Sequence, residues 1–309
     1  MVDIWMVTYN HAPFIEKAIE SIVCQETNFS YKIIVGDDHS TDGTQELLLQ
    51  LKKKYPNKLQ LILRDKNIGP AKNAIDVYKS CTAKYIAMCE GDDYWTHPNK
   101  LQKQFDFLES DDLAVGCFHD SVVVDKENSI IAHSYFDNNG KFEFDQTMAL
   151  KELQSSYATS SLMFKREALM NEMELFQEMP SDFMLDFFLT EKGTLHYIEE
   201  NMSAYRLHSA GIWQGKNDRQ NLAVHLKRYK YLYEIEKYKK RHGTFLRSEI
   251  FSHYQVLHKL AGSKEEKMKL EREKNEYINF KYLDTYPQIW QRLKKAFRYR
   301  LKAVGIIRK

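Results

Sequence analysis

The sequence predicts an α/β protein with a mostly parallel, Rossmann-like sheet flanked by helices and an α-helical C-terminal region. Two observations support this class. Over residues 1–120, apolar strand-like runs alternate with helix-like patterns, the order that produces parallel sheets. Beyond Gly215 the chain is rich in Lys, Tyr, Leu and Glu and poor in Gly and Pro, which favours helices. We therefore expect one domain over residues 1–215 and a helical region over residues 216–309.

Hydrophobic spacing defines the elements in order. Five apolar runs predict strands: Asp3–Thr8, Tyr31–Gly36, Leu59–Arg64, Tyr85–Cys89 and Ala114–Asp120. Apolar residues near helical spacing predict the helices between them: Pro13–Cys24, Thr41–Tyr55, Ala71–Cys81 and Pro98–Glu109. A mixed pattern then predicts a strand, a helix and a second strand that stops before a turn at Glu199–Asn201: Ser161–Phe164, Asp182–Glu191 and Leu195–Ile198.

Composition narrows the class of protein. No apolar run reaches the length of a membrane-spanning helix, and the N-terminus lacks the basic-then-apolar pattern of a signal peptide. The four cysteines lie in apolar contexts without metal-site spacing, which is typical of a reducing compartment. We expect a cytoplasmic protein, either free or peripheral on the inner face of the membrane.

Charge is divided unevenly along the chain. Residues 1–215 carry 20 basic and 33 acidic side chains, a net −13, whereas residues 216–309 carry 25 basic and 10 acidic ones, a net +15. No nucleic-acid-binding motif accompanies the basic part, so we expect no nucleic acid partner. The segment Tyr286–Lys309 combines eight Lys or Arg with apolar residues at helical spacing, and this pattern is typical of a helix on an anionic membrane surface. The alternative is packing on the protein itself or on a second copy, which would make a homo-oligomer through the C-terminal helices.

The segment Glu90-Gly91-Asp92-Asp93, hereafter the acidic loop, directly follows a predicted buried strand. Three carboxylates in four residues repel one another unless a cation holds them. Oxygen ligands of this kind suit Mg²⁺ or Mn²⁺, with a phosphate completing the shell. An acidic surface turn is the alternative for an isolated run of this composition.

Polar residues also follow the other predicted strands, and ligands of open α/β sheets bind at these carboxyl ends. Asp38 can accept hydrogen bonds from a base or a ribose, while Ser40 to Asp42 can cap the next helix. Gly69 permits close backbone approach. Lys72, in the first turn of a helix, can reach a diphosphate, although a solvated lysine explains it equally well.

Four strings together resemble the inverting family 2 glycosyltransferases of the GT-A fold, over about residues 1–215: Val7-Thr8-Tyr9-Asn10, Asp37-Asp38-His39-Ser40-Thr41-Asp42-Gly43-Thr44, Asn67-Ile68-Gly69 and Glu90-Gly91-Asp92-Asp93-Tyr94-Trp95. The resemblance implies that Asp92 holds Mn²⁺ or Mg²⁺ on the diphosphate of a nucleotide sugar, and that Asp93 assists or binds the acceptor. Two positions depart from the family pattern: Glu90 stands where Asp is common, and His39 where Gly is frequent. The predicted donor-binding set is Thr8, Tyr9, Asn10, Asp37, Asp38, Asn67, Lys72, Glu90, Gly91, Asp93 and Arg206.

The resemblance also implies a catalytic base that opens a helix after a Pro or Gly turn. Asp182, which follows Pro180, matches that place, and Asp186, one turn later, is the second candidate. A helix N-cap is the alternative role for Asp182. By the same resemblance, His208 is a second metal ligand or a diphosphate donor, and Arg206 supports the leaving group or braces the acidic loop.

The function implied is transfer of a sugar, with inversion and metal dependence, from a nucleotide-sugar donor (a UDP-sugar first) to a glycan or lipid-linked acceptor in surface polysaccharide synthesis. One alternative is a non-catalytic scaffold that binds nucleotide sugars within a glycan assembly complex. A second is a nucleotidylyltransferase, which would need a Gly-rich basic loop after the first strand. The segment Thr8–Pro13 contains no Gly, Lys or Arg, and this argues against the second alternative.

Overall fold

A computed structural model describes residues 1–135, 143–151, 157–208 and 218–277. The chain divides into two compact units, Met1–Leu207 and His208–Lys309. The strands are β1 Val2–Thr8, β2 Tyr31–Asp37, β3 Leu59–Leu63, β4 Tyr85–Met88, β5 Tyr94–Trp95, β6 Ala114–Val124, β7 Ile130–Ala132, β8 Glu143–Phe144, β9 Met163–Lys165 and β10 Thr194–Arg206. The helices are α1 Ile15–Val23, α2 Thr44–Lys54, α3 Pro70–Ser80, α4 Lys100–Ser110, α5 Gln146–Lys151, α6 Arg166–Met170, α7 Met173–Glu178, α8 Asp182–Leu189, α9 Asp218–Glu234, α10 Glu236–Leu260 and α11 Lys264–Tyr277.

The strands of the first unit form one sheet, in the order β3-β2-β1-β4-β9-β6-β10-β5, with β7 paired to β6 and β8 to β10. β1 lies between β2 and β4 and is parallel to both, so that Ile4 is opposite Ile33 and Ala87. Helices separate these parallel strands in the sequence, as the alternating pattern predicts. The predicted α/β class, with a helical C-terminal region, is confirmed.

Beyond β4 the sheet becomes mixed. β9 is inserted between β4 and β6 and is antiparallel to both. β10 then runs parallel to β6. The carboxyl ends of β1, β2 and β4 therefore lie at the same edge of the sheet, and this is the edge to which the sequence assigns the ligand site.

Burial on both sides of the central strands produces the core. Ile4 and Met6 of β1 are fully buried, as are Ile33 and Val35 of β2. Helix α1 covers one face with four fully buried residues: Ile15, Ala18, Ile19 and Ile22. Burying an Ile or Met side chain contributes about 1.5–3 kcal/mol, so the strands that carry the site residues rest on a well-buried core.

The structure corrects the predicted end of one strand. A turn was expected at Glu199–Asn201, yet β10 continues through it to Arg206. The register of β10 against β6 shifts between Ile198 and Asn201 and again before Ser203. The bulges accommodate the polar residues within β10. Glu199 is exposed at the bulge, and the strand pairs with β6 again beyond it. The continuation matters because it carries Arg206 to the acidic loop.

The second unit is helical over its described residues, as expected. Tyr229 of α9 and Tyr238 and Tyr254 of α10 are buried. The hydroxyl of Tyr254 donates to Glu273 of α11 at 3.1 Å. Among the described helices, no segment combines the length and the apolar character that crossing a bilayer requires. The predicted basic helix at Tyr286–Lys309 lies outside the described residues.

A buried lysine lies beneath the acidic loop. Lys100, the first residue of α4, is fully buried, and its Nζ has no hydrogen-bond partner among the described residues. The Nζ lies 3.9 Å from the centroid of the Trp95 ring. Burial lowers the pKa of Lys100 to about 7, against the opposing effect of the nearby Cys89 and Cys117 thiols. Keeping the Lys100 amine protonated in this buried position therefore costs desolvation free energy near neutral pH.

We expect Lys100→Met to raise the melting temperature at pH 7, by roughly 2–4 °C for each kcal/mol gained. Because the folded pKa is about 7 and an unfolded lysine titrates near ~10.4, the unfolded chain binds the extra proton between these values. The stability of the wild type should therefore rise with pH across that window, and the advantage of the variant should shrink. Thermal unfolding at pH 7 and pH 10 measures both effects.

Lys53→Met, on the exposed face of α2, is the matched control and should show neither effect. An advantage of Lys100→Met that is equal at both pH values would contradict titration of the buried amine.

Candidate active site

Backbone hydrogen bonds join the carboxyl ends of three strands. The N–H of Asp38 donates to the carbonyl of Thr8 at 3.1 Å, which links the end of β2 to the end of β1. The N–H of Gly91 donates to the carbonyl of Val7 at 3.0 Å, which links the acidic loop to β1. The first, second and fourth predicted motifs therefore meet at the end of β1.

The residues after β1 are held by the turn that follows β2. Asn10 has a left-handed backbone, with φ 56°, a conformation in which Asn is enriched. Its N–H donates to Ser40 Oγ at 2.8 Å, and its Oδ1 accepts from the Thr41 N–H at 2.8 Å. The amide oxygen of Asn10 thus contacts protein, while the neighbouring Tyr9 is exposed. The nucleoside contacts of Thr8, Tyr9 and Asn10 stay a prediction.

The two aspartates at the end of β2 are buried and hold loops. Asp37 Oδ1 accepts from the Ser40 N–H at 2.9 Å and from Gln45 Nε2 at 2.6 Å. Asp38 accepts from the N–H groups of Ile68 and Gly69 at 2.8 and 2.9 Å, one on each carboxylate oxygen. These contacts explain why carboxylates stand at both positions, and a role for either in binding the nucleoside stays a prediction.

The loop before α3 is tied to the same strand end. Asn67 Nδ2 donates to the Asp38 carbonyl at 3.1 Å, and Asn67 Oδ1 accepts from Gly69 at 3.1 Å. Gly69 has φ 90°, which favours glycine. Lys72 is exposed in the first turn of α3, next to this loop. Because the side chain of Lys72 is exposed, both alternatives, a solvated lysine and a contact with a diphosphate, stay open.

The prediction that Ser40 to Asp42 cap α2 was wrong about the N-cap position. The helix begins at Thr44, Gly43 holds the N-cap position, and the cap residue makes no side-chain bond. Asp42 instead accepts from the Thr44 N–H at 3.1 Å and from the Ala12 N–H at 2.9 Å. The turn therefore joins the start of α2 to the residues after β1.

The acidic loop concentrates negative charge in a partly desolvated place. Burial, followed by the charges of Asp92 and Asp182, raises the pKa of Glu90. Burial also raises the pKa of Asp93, whose Oδ1 accepts from the Arg206 N–H at 2.9 Å. Carboxylates that raise one another's pKa favour a bound cation, which relieves the repulsion.

The two candidate bases have different surroundings in the structure. Ser181 is the N-cap of α8, because its Oγ accepts from the Met184 N–H at 3.3 Å. Asp182 is therefore the first helical residue, and the alternative that made it the cap was wrong. Its negative charge contributes to raising the pKa of Glu90 in the acidic loop. Asp186 instead accepts a hydrogen bond from the hydroxyl of Tyr157.

Arg206 braces the acidic loop through the main chain. Its Nε donates to the carbonyl of Asp92 at 2.7 Å, its Nη1 to the carbonyl of Asp125 at 3.0 Å and its Nη2 to Asn128 Oδ1 at 2.9 Å. The guanidinium also lies 4.6 Å from the centroid of the Phe14 ring. These contacts support the bracing role that the sequence left open beside contact with the leaving group.

The structure also brings in a residue that the sequence reasoning missed. His11 Nε2 lies 3.6 Å from Asp92 Oδ2. The role of His208, which the resemblance gives as a second metal ligand or a diphosphate donor, stays a prediction. Imidazole nitrogen and carboxylate oxygen are suitable ligands for a first-row divalent ion, so the residues fit the implied metal. A histidine directly after the first strand end was the available signal.

Gly91 makes the contact between the acidic loop and β1 possible. A Cβ at this position would lie 2.6 Å from Thr8 Oγ1 and 3.0 Å from His11 Nδ1. We expect Gly91→Ala to cost about 1–3 kcal/mol of unfolding free energy, because the loop must move away from β1. Denaturant unfolding measures the loss.

Gly262→Ala provides the control, since apart from Gly262 and its two chain neighbours no atom of the described residues lies within 4 Å of the added Cβ. If Gly91→Ala were as stable as Gly262→Ala, the close packing of the loop on β1 would be refuted.

Comparison with known proteins agrees with this geometry. The family model described as Glycosyl transferase family 2 matches residues 3–172. The protein Rv1520 of Mycobacterium tuberculosis is 31% identical over 219 residues, which are 69% of this chain and 60% of that protein. TuaG of Bacillus subtilis, whose name assigns it to teichuronic acid biosynthesis, is 29% identical over 108 residues, 35% of this chain and 42% of TuaG. The chain thus spans about 60% of the length of the first of these relatives.

Solved structures share the fold at low identity. Residues 1–349 of S. aureus TarS, in complex with UDP-GlcNAc, superpose with a TM-score of 0.64 at 14% identity, covering 98% of this chain and 88% of that one. The mannosyltransferase PcManGT from Pyrobaculum calidifontis, in complex with GDP-Man and Mn²⁺, gives 0.58 at 16% identity, covering 98% and 86%. The GT-A fold is confirmed, and the family match over more than half of the sequence shows that the chain belongs to glycosyl transferase family 2.

Proposed function

We propose that the protein transfers a sugar from a nucleotide-sugar donor, a UDP-sugar first, to a hydroxyl of a glycan or lipid-linked acceptor, with inversion and with Mn²⁺ or Mg²⁺. One observation carries the proposal. The charge of Asp182, the first residue of α8, acts on Glu90 of the acidic loop, while Asp92 of the same loop lies beside His11. The proposed base therefore acts electrostatically on the loop that carries the proposed cation ligand, and this supports the proposal.

In this mechanism Asp182 accepts the proton of the acceptor hydroxyl as that oxygen attacks the anomeric carbon of the donor sugar. The nucleoside diphosphate departs from the opposite face, so a single displacement inverts the configuration. Asp92 would hold the divalent cation, which would supply charge neutralisation for the diphosphate. Arg206 keeps the acidic loop in place through the Asp92 carbonyl, which fixes where the carboxylates stand.

The properties of relatives support the choice of donor and pathway. TarS is solved with UDP-GlcNAc, and PcManGT with GDP-Man and Mn²⁺, so both bind nucleotide sugars. TuaG is named for teichuronic acid biosynthesis, which supports a role in polysaccharide synthesis. Thermal shift with UDP-, GDP- and dTDP-sugars, with and without Mn²⁺, identifies which nucleobase of the donor the protein binds. The scaffold alternative predicts binding but no metal-dependent donor hydrolysis, so a hydrolysis assay separates the two.

Substitution of the proposed base tests the mechanism. Asp182→Asn keeps the size of the side chain but removes the proton acceptor, so turnover should fall by about 10²–10⁴-fold while donor affinity changes little. Steady-state kinetics and isothermal titration with the nucleotide report the two quantities. Asp186→Asn should lose less, because its carboxylate binds Tyr157.

Glu178→Gln, an exposed acid-to-amide change on α7, is the control for general effects of charge. Equal losses of turnover and donor binding in Asp182→Asn would show a structural role instead of a base.

The basic tail supports a lipid-linked acceptor. Eight cations and no acid lie in Tyr286–Lys309, and each cation near an anionic bilayer contributes about 1 kcal/mol. We expect the full chain to float with vesicles that contain phosphatidylserine, and a chain truncated at Tyr286 to lose that binding. Sedimentation of both forms without lipid tests the alternative, a homo-oligomer. Equal flotation of both forms would show that the tail does not contribute to membrane binding.

A further inference from the structure

The distance between His11 and Asp92 indicates a ligand shared by both. Their Nε2 and Oδ2 atoms are 3.6 Å apart, beyond the usual 2.7–3.2 Å of an N–H···O hydrogen bond. Two atoms that each bind one cation at about 2.1 Å lie about 3–4 Å apart, depending on the angle between them. The observed separation falls within that interval.

The position of His11 is fixed before any ligand binds. The His11 N–H donates to Thr44 Oγ1 at 3.0 Å, and that hydroxyl in turn donates to Asp42 Oδ1 at 2.6 Å. The next residue, Ala12, donates to the other oxygen of Asp42 at 2.9 Å. The turn before α2 therefore holds the backbone on both sides of the imidazole, as a pre-organised ligand requires.

The partner of His11 is fixed independently. Arg206 holds the Asp92 carbonyl at 2.7 Å, so the residue that carries the carboxylate is anchored from the side of β10. The absence of a side chain at Gly91 lets the loop pack against the imidazole, whose Nδ1 would lie 3.0 Å from a Cβ there. The turn before α2 thus positions the nitrogen ligand of His11, and Arg206 positions the residue that carries the oxygen ligand, Asp92.

We propose that His11 Nε2 is a direct ligand of the divalent cation beside Asp92, and that this nitrogen ligand makes the site prefer Mn²⁺ over Mg²⁺. The proposal rests on the metal dependence proposed above. Mg²⁺ is a hard ion that takes oxygen ligands and keeps its waters. Imidazole is a ligand of first-row transition ions, so a nitrogen at this position disfavours Mg²⁺ relative to Mn²⁺.

Electron paramagnetic resonance of Mn²⁺ tests the proposal without an activity assay. The full chain is titrated with Mn²⁺ in the presence of UDP, and Mg²⁺ is then added to displace the bound Mn²⁺. We expect His11→Ala to weaken Mn²⁺ binding by about 10-fold or more. His11→Asp, which supplies an oxygen instead, should recover part of the affinity while the preference for Mn²⁺ over Mg²⁺ falls severalfold. The nitrogen modulation in pulsed spectra of bound Mn²⁺ should decrease in both variants.

His133→Ala, which removes an exposed imidazole of the same unit, is the matched control and should bind as the wild type does. Thermal unfolding shows that each variant is folded. Unchanged Mn²⁺ affinity, metal preference and nitrogen modulation in folded His11→Ala would overturn the assignment of His11. If Asp92→Asn still abolished binding, the metal dependence of the proposed function would survive. Failure of the wild type to bind Mn²⁺ with UDP would instead remove the metal dependence itself.

Discussion

The packing of the acidic loop against the end of β1 is the contact on which the candidate site depends. The Gly91 N–H bonds the Val7 carbonyl, and the space left by the missing side chain is bounded by Thr8 and His11. Without that contact the carboxylates of the loop would lie away from the strand ends where the other motifs meet. Because β1 is an inner strand of the parallel half and its apolar side chains are buried, the loop is attached to a well-packed part of the unit.

Charge and burial act against each other at this edge. Asp93 is almost completely buried, and both it and Glu90 have raised pKa values because their charges are desolvated and close together. Such an arrangement is costly in the free protein, and a bound cation would reverse the cost. The proposed base Asp182 belongs to the same group of interacting charges, since it contributes to the raised pKa of Glu90.

The sequence predicts the parallel half of the fold well, since each strand there is an apolar run followed by a helical pattern. The acidic loop is singled out by three carboxylates that follow an apolar run, whereas Asp182 is predicted only through the family resemblance. His11 escapes such reasoning, because its closeness to Asp92 depends on β1 and β4 being neighbours and on the left-handed backbone of Asn10. The extension of β10 also depends on tertiary pairing, since bulges keep polar residues within a strand.

Arg206 holds the acidic loop by a main-chain oxygen, and this has a consequence for how the motif can vary among related sequences. A grip on the Asp92 carbonyl does not depend on which side chains the loop carries. We therefore expect Glu90→Asp to leave the backbone path of the loop unchanged. Arg206 thus fixes the backbone path of the acidic loop independently of its side chains, so the side chains can change while the backbone keeps its path.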